Sequence, residues 1–495
     1  MYIGIDLGTS AVKLLLMSSE GKVIRTVSKE YPLLFPKENW IEQNPDDWIE
    51  KTFEAFSEFT KEELSAVKAI SFSGQMHGSV FLDIEDKVIR PALLWCDQRT
   101  VEECKNLNEK FGLKLVELTG NIAITGFTAP KILWLKNNEP ENFKKINKIM
   151  LPKDYLAFKL SGVYSTDVSD ASGTLLLDVK NRKWCQELLE TLNITEAQLP
   201  KLFESYECIG TIKKEIAEKY GFNKNVKIIA GGGDQATGAV GVGVVKDGVL
   251  SVALGTSGVV FANSSSYKVD NEARLHSFCH ANGGYHQMGV MLSAAGALKW
   301  WIERINKSKD YTQFVEEEAG KSKYDEKLLF LPYLTGERTP YNDPDAKRTP
   351  YNDPDARGAF VGLNIQHERA DMTRSVLEGI TFGLKDSLEL IKATGVYTDV
   401  ARVSGGGAKS NFWKQMIADI FNLKVETINS TEGPAFGAAI LAAVGDGCFS
   451  SVDEACEKLI QVIDIKYPNS ENKNFYEDKY KKFKKSYFLL KEIYN

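Results

Sequence analysis

No two cysteines are spaced C-x-x-C, and the seven present, at 96, 104, 185, 208, 279, 448 and 456, are odd in number. That gives neither a zinc signature nor a disulfide framework, and it fits a reducing cytoplasm. Strong charge of either sign is also missing: a net charge of −6 with 26% charged residues offers no footprint for nucleic acid, so any polyanion held must be small and locally bound. No uncharged run approaches the roughly eighteen residues of a membrane span. The opening "MYIGIDLGTS" has no basic leader and runs straight into strand-like sequence, so neither export nor membrane insertion is expected. Phosphate-loop and nucleophile motifs are absent as well. "AGKS" at Ala319 has Val315 where a Walker loop needs glycine, no G-x-G-x-x-G follows a strand, and there is neither a serine elbow nor H-E-x-x-H.

What is present is an echo. With 495 residues the chain exceeds one ordinary core and predicts two large lobes. "IGIDLGTSAVKLLLMSSEGKVI" resembles "LSVALGTSGVVFANSSSYKV" from Leu250, each an apolar strand, an LGTS turn and a second apolar strand. "VKIIAGGGDQATGAVG" from Val226 resembles "ARVSGGGAKSNFWKQMIAD" from Ala401, each a strand, three glycines and a helical pattern. The order predicts two homologous α/β lobes, 1–245 and 246–495, each opened by a hairpin around LGTS. The tail spaces Tyr476, Tyr480, Phe483, Tyr487, Leu490 and Tyr494 by fours and threes, which is one face of a helix over 473–495. That helix is expected to dock on a lobe with its lysines in solvent, with a return onto the first lobe as one arrangement.

In "GIDLGTSAVK" the strand ends at Asp6, a glycine follows, and Thr9, Ser10 and Lys13 come next. Gly8 admits a phosphate close to the backbone, the hydroxyls sit beside amide donors, and Asp6 can orient a magnesium ion; the same residues also make an ordinary turn. A second copy with Gly255 and Thr256 allows two symmetry-related turns to grip one polyphosphate from both sides. Asp234, after Gly231 to Gly233, can face a substrate or cap a helix.

These stretches, with "SFSGQMHG" (71–78), "LLWCDQRT" (93–100), "GFTAPKILWLKNN" (126–138), "DVSDASGTLLLDV" (167–179) and "RVSGGGAKSNFW" (402–413), resemble the FGGY family of carbohydrate kinases from end to end. The resemblance implies two ribonuclease-H-like lobes of the actin, hexokinase and Hsp70 kind closing on ATP, magnesium and a sugar, with xylulose favoured by "GQMHG". It implies Asp234 as catalytic base and Asp6 as the carboxylate that positions Mg2+, through water. It implies Thr9, Ser10, Lys13, Gly255, Thr256, Gly406, Gly407 and Asn411 around the nucleotide. Gln75, Met76, His77, Trp95, Asp97, Arg99 and Gln235 fall around the sugar, with Arg99 also able to fix Asp97 and His77 also able to be a satisfied core residue. Gluconate, ribulose and glycerol are the alternative acceptors, and a catalytically dead sugar sensor or an ATP-driven chaperone are the alternatives outside enzymes. Retention of both aspartates argues against the sensor. The expected partners are a small sugar and ATP, with no nucleic acid and no membrane; a homodimer is compatible with the sequence.

One feature departs from that resemblance: "RTPYNDPDAK RTPYNDPDAR", 338–357, writes ten residues twice. Pro, Asn and Asp predict an exposed, mobile loop produced by tandem duplication, tolerated because lengthening a loop costs little closure entropy.

Overall fold

The computed structural model describes the chain except for residues 323–324, 341–352, 354–355, 431 and 495. The first lobe is built on a sheet of β1 (Tyr2–Leu7), β2 (Ala11–Met17), β3 (Val23–Glu30), β4 (Ala69–Gly74), β5 (Cys208–Thr211) and β6 (Lys227–Ile229), in the order β5-β6-β4-β1-β2-β3, with the short β7 (Gly232–Gly233) also on β4. Ile3, Ile5 and Leu7 alternate into one apolar core while Tyr2 enters another, so β1 is covered on both faces. Two helices of this lobe matter below: α1 (Thr128–Asn138) and α2 (Val168–Ser172).

After the crossing helix α3 (Asp234–Gly241) comes the second sheet: β8 (Gly248–Leu254), β9 (Gly258–Ser264), β10 (His276–Cys279), β11 (Tyr285–Met291), β12 (Thr398–Gly405), β13 (Lys424–Ile428) and β14 (Val462–Lys466), ordered β10-β11-β9-β8-β12-β13-β14. Its helices are α4 (Arg369–Ala393), α5 (Asn411–Phe421), α6 (Gly433–Asp446) and the terminal α7 (Lys473–Tyr494).

The LGTS echo corresponds to equivalent structure. β1 pairs antiparallel with β2 and β8 with β9, so each LGTS turn joins the central hairpin of a sheet. The triple-glycine echo does not. Gly405 ends β12, the parallel neighbour of β8, and the parallel neighbour of β1 is β4, which ends at Gly74 before Gln75–Met76–His77. Gly231–Gly233 follow β6 instead, and α3 has α6 as its counterpart. Glycines recur wherever a strand end meets a helix, and sheet order, which a short echo does not carry, decides which ends correspond.

The lobes interlock through α3 and α6. A Cβ on Gly437 would lie 1.8 Å from the Thr237 carbonyl oxygen and one on Gly241 2.0 Å from that of Gly433, so the helices cross backbone on backbone. A Cβ on Gly4 would lie 2.0 Å from the Ala435 carbonyl oxygen, which puts α6 directly on β1. Residues 433–446 therefore pack on the first sheet although in sequence they lie between β13 and β14 of the second.

The terminal helix does not return to the first lobe. Tyr476, Tyr480, Phe483 and Tyr487 enter the core of the second, where Tyr480 donates to Asp386 Oδ1 at 2.6 Å and Lys479 to Glu378 Oε2 at 2.5 Å. The spacing fixed which face is buried; the aromatic surface of α4 fixed where.

The middle of the ten-residue repeat lies outside the described residues. Its described ends are not exposed turn: Thr339, Asp353 and Ala356 are buried, Glu337 and Asp353 exchange backbone hydrogen bonds of 3.0 and 2.8 Å, and Tyr487 bonds to the Asp353 carboxylate. Polar turn residues are buried here because backbone and a tyrosine satisfy them. Fifteen residues separate Glu337 from Asp353; deleting Arg348–Arg357 with Lys347→Arg leaves five and supplies an equivalent Asp, Ala and Arg. The deletion is expected to retain activity and raise stability by up to about 1 kcal/mol through reduced closure entropy, read by melting temperature and turnover. Loss of either would show that the second copy has become part of the packing.

Candidate active site

The two strand ends of the first lobe and the start of α3 converge on a pair of carboxylates. Asp6 sits opposite Lys13 in the β1–β2 register and beside Ser73 of β4, and its Oδ1 is buried with no hydrogen-bond partner among the described residues. Burial raises its pKa against the pull of Ser73 and Lys13. Asp234 is the first residue of α3; burial, with the charge of Asp6 second, pushes its carboxyl up to about 7. A carboxylate so placed can accept a proton near neutral pH, and the unpartnered Asp6 oxygen suits a divalent cation.

The two hairpin turns present the expected groups. Ser10, Gly255 and Thr256 are exposed; the Thr256 carbonyl accepts from Ala294 N at 3.0 Å, and the Thr9 hydroxyl accepts from Trp95 Nε1 at 2.9 Å. Lys13 is held by Glu432 at 3.2 Å from the start of α6. A cleft of about 670 Å³ reaches Asp234, Gln235, Gly405 and Gly406, and an adjoining one of about 610 Å³ is lined by Gly406, Gly407, Asn411, Trp413 and Tyr311. Asn411 begins α5. Together they form a trough from the carboxylate pair to the start of α5, sized for a nucleotide.

His77 is held unusually tightly. Its φ is +69°, a left-handed conformation that a non-glycine residue keeps only where its surroundings impose it. Thr128 Oγ1 and Lys131 Nζ of α1 both donate to its carbonyl, at 3.0 and 2.9 Å, and its ring packs edge-on against Phe127. Nδ1 lies 2.7 Å from the Gly173 carbonyl. A carbonyl only accepts, so the proton is on Nδ1 and Nε2 is left as an acceptor. Burial lowers the imidazole pKa to about 3, so the ring is neutral. Met76 fills the space over Gly233, where a Cβ would lie 2.8 Å from its sulfur, and this places the Met76–His77 pair one residue from Asp234. Gln75 Nε2 donates to Gln43 at 3.0 Å and leaves its buried Oε1 unpartnered.

Of the "WCDQR" residues, Trp95 is exposed and reaches the first hairpin turn through Thr9. Asp97 and Arg99 have side-chain exposures of 0% and 1%. Arg99 forks onto Asp97 at 2.7 and 2.9 Å, pairs with Glu42 at 2.7 Å and stacks on Trp40 at 3.9 Å, and Asp97 also accepts from Ile41 N at 2.7 Å. Arg99 thus fixes Asp97, the other role that the sequence leaves open for it: an acid and a base two residues apart neutralise each other, which permits both to be buried. Sequence reasoning missed Thr128 and Lys131, which lie within "GFTAPK" but carry no signal that they serve a neighbour's backbone. Burial pulls Lys131 down to about 7 against the attraction of Asp97.

Residues 1–241 match the profile described as "FGGY family of carbohydrate kinases, N-terminal domain", and residues 250–445 that of its C-terminal domain. The xylulose kinase of Bacillus subtilis is 39% identical over 497 residues, covering 99% of this chain and 97% of the relative. Among solved structures, ligand-bound xylulose kinase from Lactobacillus acidophilus superposes with TM-score 0.91 at 28% identity, covering 100% and 99% of the two chains. A gluconate kinase from the same organism gives TM-score 0.91 at 29% identity, covering 100% and 98%.

If the Arg99 network is a support, Arg99→Met strands the buried Asp97 without its cation, while Glu42 keeps Arg90. Unfolding free energy is then expected to drop by about 3–5 kcal/mol in a urea titration. A drop below about 1 kcal/mol, the usual worth of an exposed pair, would return these residues to the cleft.

Proposed function

Because the chain belongs to the FGGY family of carbohydrate kinases and its xylulose kinase relatives align along nearly all of it, we propose that it transfers the γ-phosphoryl group of ATP to D-xylulose, giving ADP and D-xylulose 5-phosphate. The observation that carries the sugar-kinase chemistry is the carboxylate pair: Asp234, held near pKa 7, at the mouth of a nucleotide-sized trough with Asp6 beside it.

In this reading Asp234 accepts the proton of the sugar hydroxyl as that oxygen attacks, and its main work is to orient the nucleophile, since phosphoryl transfer depends on in-line positioning and charge neutralisation. The turns carrying Thr9, Ser10 and Lys13 and Gly255 and Thr256 hold the phosphates from both sides, and Gly406, Gly407 and Asn411 take the adenosine. Asp6, with its unpartnered oxygen, is the residue that would hold Mg2+, through water. Bound there, Mg2+ would neutralise charge on the polyphosphate. Water is about as nucleophilic as a sugar hydroxyl, so closure of the lobes across α3 and α6 once the sugar is bound protects ATP from hydrolysis.

Xylulose is favoured by the Gln75–Met76–His77 wall, not by the fold, because a gluconate kinase superposes equally well. His77 Nε2 can only accept, so it accepts a hydrogen bond from a ketose hydroxyl. Met76 supplies the apolar side, and Trp95, Gln75 and Gln235 complete the polar one. The reading places the enzyme in the cytoplasm with its ATP.

Asp234→Asn keeps the shape but removes the proton acceptor, and xylulose phosphorylation is expected to fall by a factor on the order of 10² to 10⁴ with ATP affinity retained. Near-normal turnover in a folded variant would remove Asp234 from the role. His77→Ala leaves a sugar hydroxyl unpaired, at roughly 1–3 kcal/mol, or about five- to 150-fold in kcat/KM for xylulose; unchanged kinetics with lowered stability would make His77 a core residue. The pH dependence has a definite sign. Burial raises the Asp234 pKa, the protonated form increases as pH falls, and that form cannot accept a proton, so kcat/KM for xylulose should decline below about pH 7. A profile flat from about pH 5 to 8 contradicts this.

A further inference from the structure

Behind the cleft lies a charge cluster that the steps above do not use. Lys153 Nζ is 2.6 Å from Asp154 Oδ1, 2.9 Å from Asp167 Oδ1 and 3.6 Å from Asp170 Oδ2, and no side chain of the four is more than 2% exposed. Three carboxyls against one ammonium in so dry a place is an unfavourable balance, and burial pushes the Asp170 carboxyl well above the ordinary range, toward the neutral acid. An ion pair that served only stability would end there.

This one continues into the cleft. Asp167 Oδ2 accepts from Ser169 N at 2.8 Å, from Ser169 Oγ at 2.5 Å and from Ser205 Oγ at 2.7 Å. The single hydroxyl proton of Ser169 is therefore committed to Asp167, which leaves its oxygen as an acceptor facing the other way. Gly233 N donates to that oxygen at 3.1 Å, and the backbone sits so close that a Cβ on Gly232 would lie 2.9 Å from it. Gly233 is the N-cap of α3 and immediately precedes Asp234; being glycine, it has no side chain with which to fix the helix start. The opposite end of α2 holds two more parts of the machinery: Ser172 Oγ accepts from Cys279 N of the second lobe at 3.1 Å, and the Gly173 carbonyl holds the His77 ring. A five-residue helix thus touches the strand that leads into the base, the residue proposed to read the sugar, and the facing lobe.

We infer that Asp167 and Ser169 are positioning residues for Asp234: the Lys153 ammonium fixes Asp167, Asp167 fixes the Ser169 hydroxyl as an acceptor, and Ser169 fixes the Gly233 amide and hence the place of the next carboxylate. The inference rests on Asp234 being the base. A group acting on an attacking oxygen tolerates only about 0.5 Å of error, and the start of α3 has no side-chain cap of its own to provide that precision.

The test is a double-mutant cycle on the full chain. Ser169→Ala should lower kcat for xylulose on the order of tenfold, with KM for ATP unchanged and the melting temperature little altered, because Asp167 keeps Ser169 N, Ser205 and Lys153. In the Asp234→Asn background, Ser169→Ala should lower the residual rate no further, since there is no base left to misplace. Ser169→Cys, which keeps the shape but accepts poorly, should fall in the same direction and serves if the alanine variant folds badly. An unchanged kcat in Ser169→Ala, or an equal loss in both backgrounds, would overturn the inference and leave the cluster a structural support. Near-normal turnover of Asp234→Asn alone would instead remove the base assignment, and the positioning role with it.

Discussion

The candidate active site depends on two carboxylates brought into a place where neither is well solvated. Asp6 comes from the first strand of the chain and Asp234 from the helix that leaves the first lobe more than two hundred residues later. In water both would be ionised and indifferent to each other. Here burial acts on both, and the Asp6 charge adds to the rise at Asp234, so the second acid is poised near neutral pH and the first keeps an oxygen with no partner among the described residues. This arrangement is unfavourable for the protein alone. In the proposed function it becomes favourable when cations and a polyphosphate enter, which is how a binding site differs from a well-packed core.

The rest of the fold can be understood as what holds that arrangement in place. β1 is buried on both faces and sealed by α6 over Gly4, so the strand carrying Asp6 has no freedom to tilt. The α3–α6 crossing brings two backbones together at Gly241 and Gly437, which joins the lobes at one close-packed junction. His77 is forced into a left-handed backbone by donors on its carbonyl and a carbonyl on its ring, and one element, α2, links that ring to the strand before Asp234. Precision at the cleft is thus supplied by buried polar groups behind it.

The sequence was legible where one residue's neighbours are local. Both LGTS hairpins, the helix beginning at Asp234 and the buried face of the terminal helix follow from strand length, turn chemistry and four-three spacing. Partnership across the chain was not legible. The second glycine run looked like the counterpart of the first because both join a strand to a helix; only sheet order shows that β4, ending in Gly74, is the true neighbour of β1. Asp97 and Arg99 looked like ligand groups because charged residues in a motif can face a ligand or each other, and the motif is the same either way. Lys131 gave no signal because its partners are backbone carbonyls, and Ser169 none because the group it holds across the chain, the Gly233 amide, is backbone too. The duplicated segment misled in the opposite sense: its composition is that of a loop, yet Thr339 and Asp353 are anchored in the second lobe.

The claim that these parts make a ketose kinase is tested most directly by coupled ADP detection on the purified full chain, with ATP and Mg2+ and one acceptor at a time: xylulose, ribulose, gluconate and glycerol. The account predicts the highest kcat/KM for D-xylulose, with the others lower by at least the roughly tenfold that one mismatched polar contact imposes. A preference for gluconate or glycerol, or ADP formation indifferent to the sugar supplied, would contradict it.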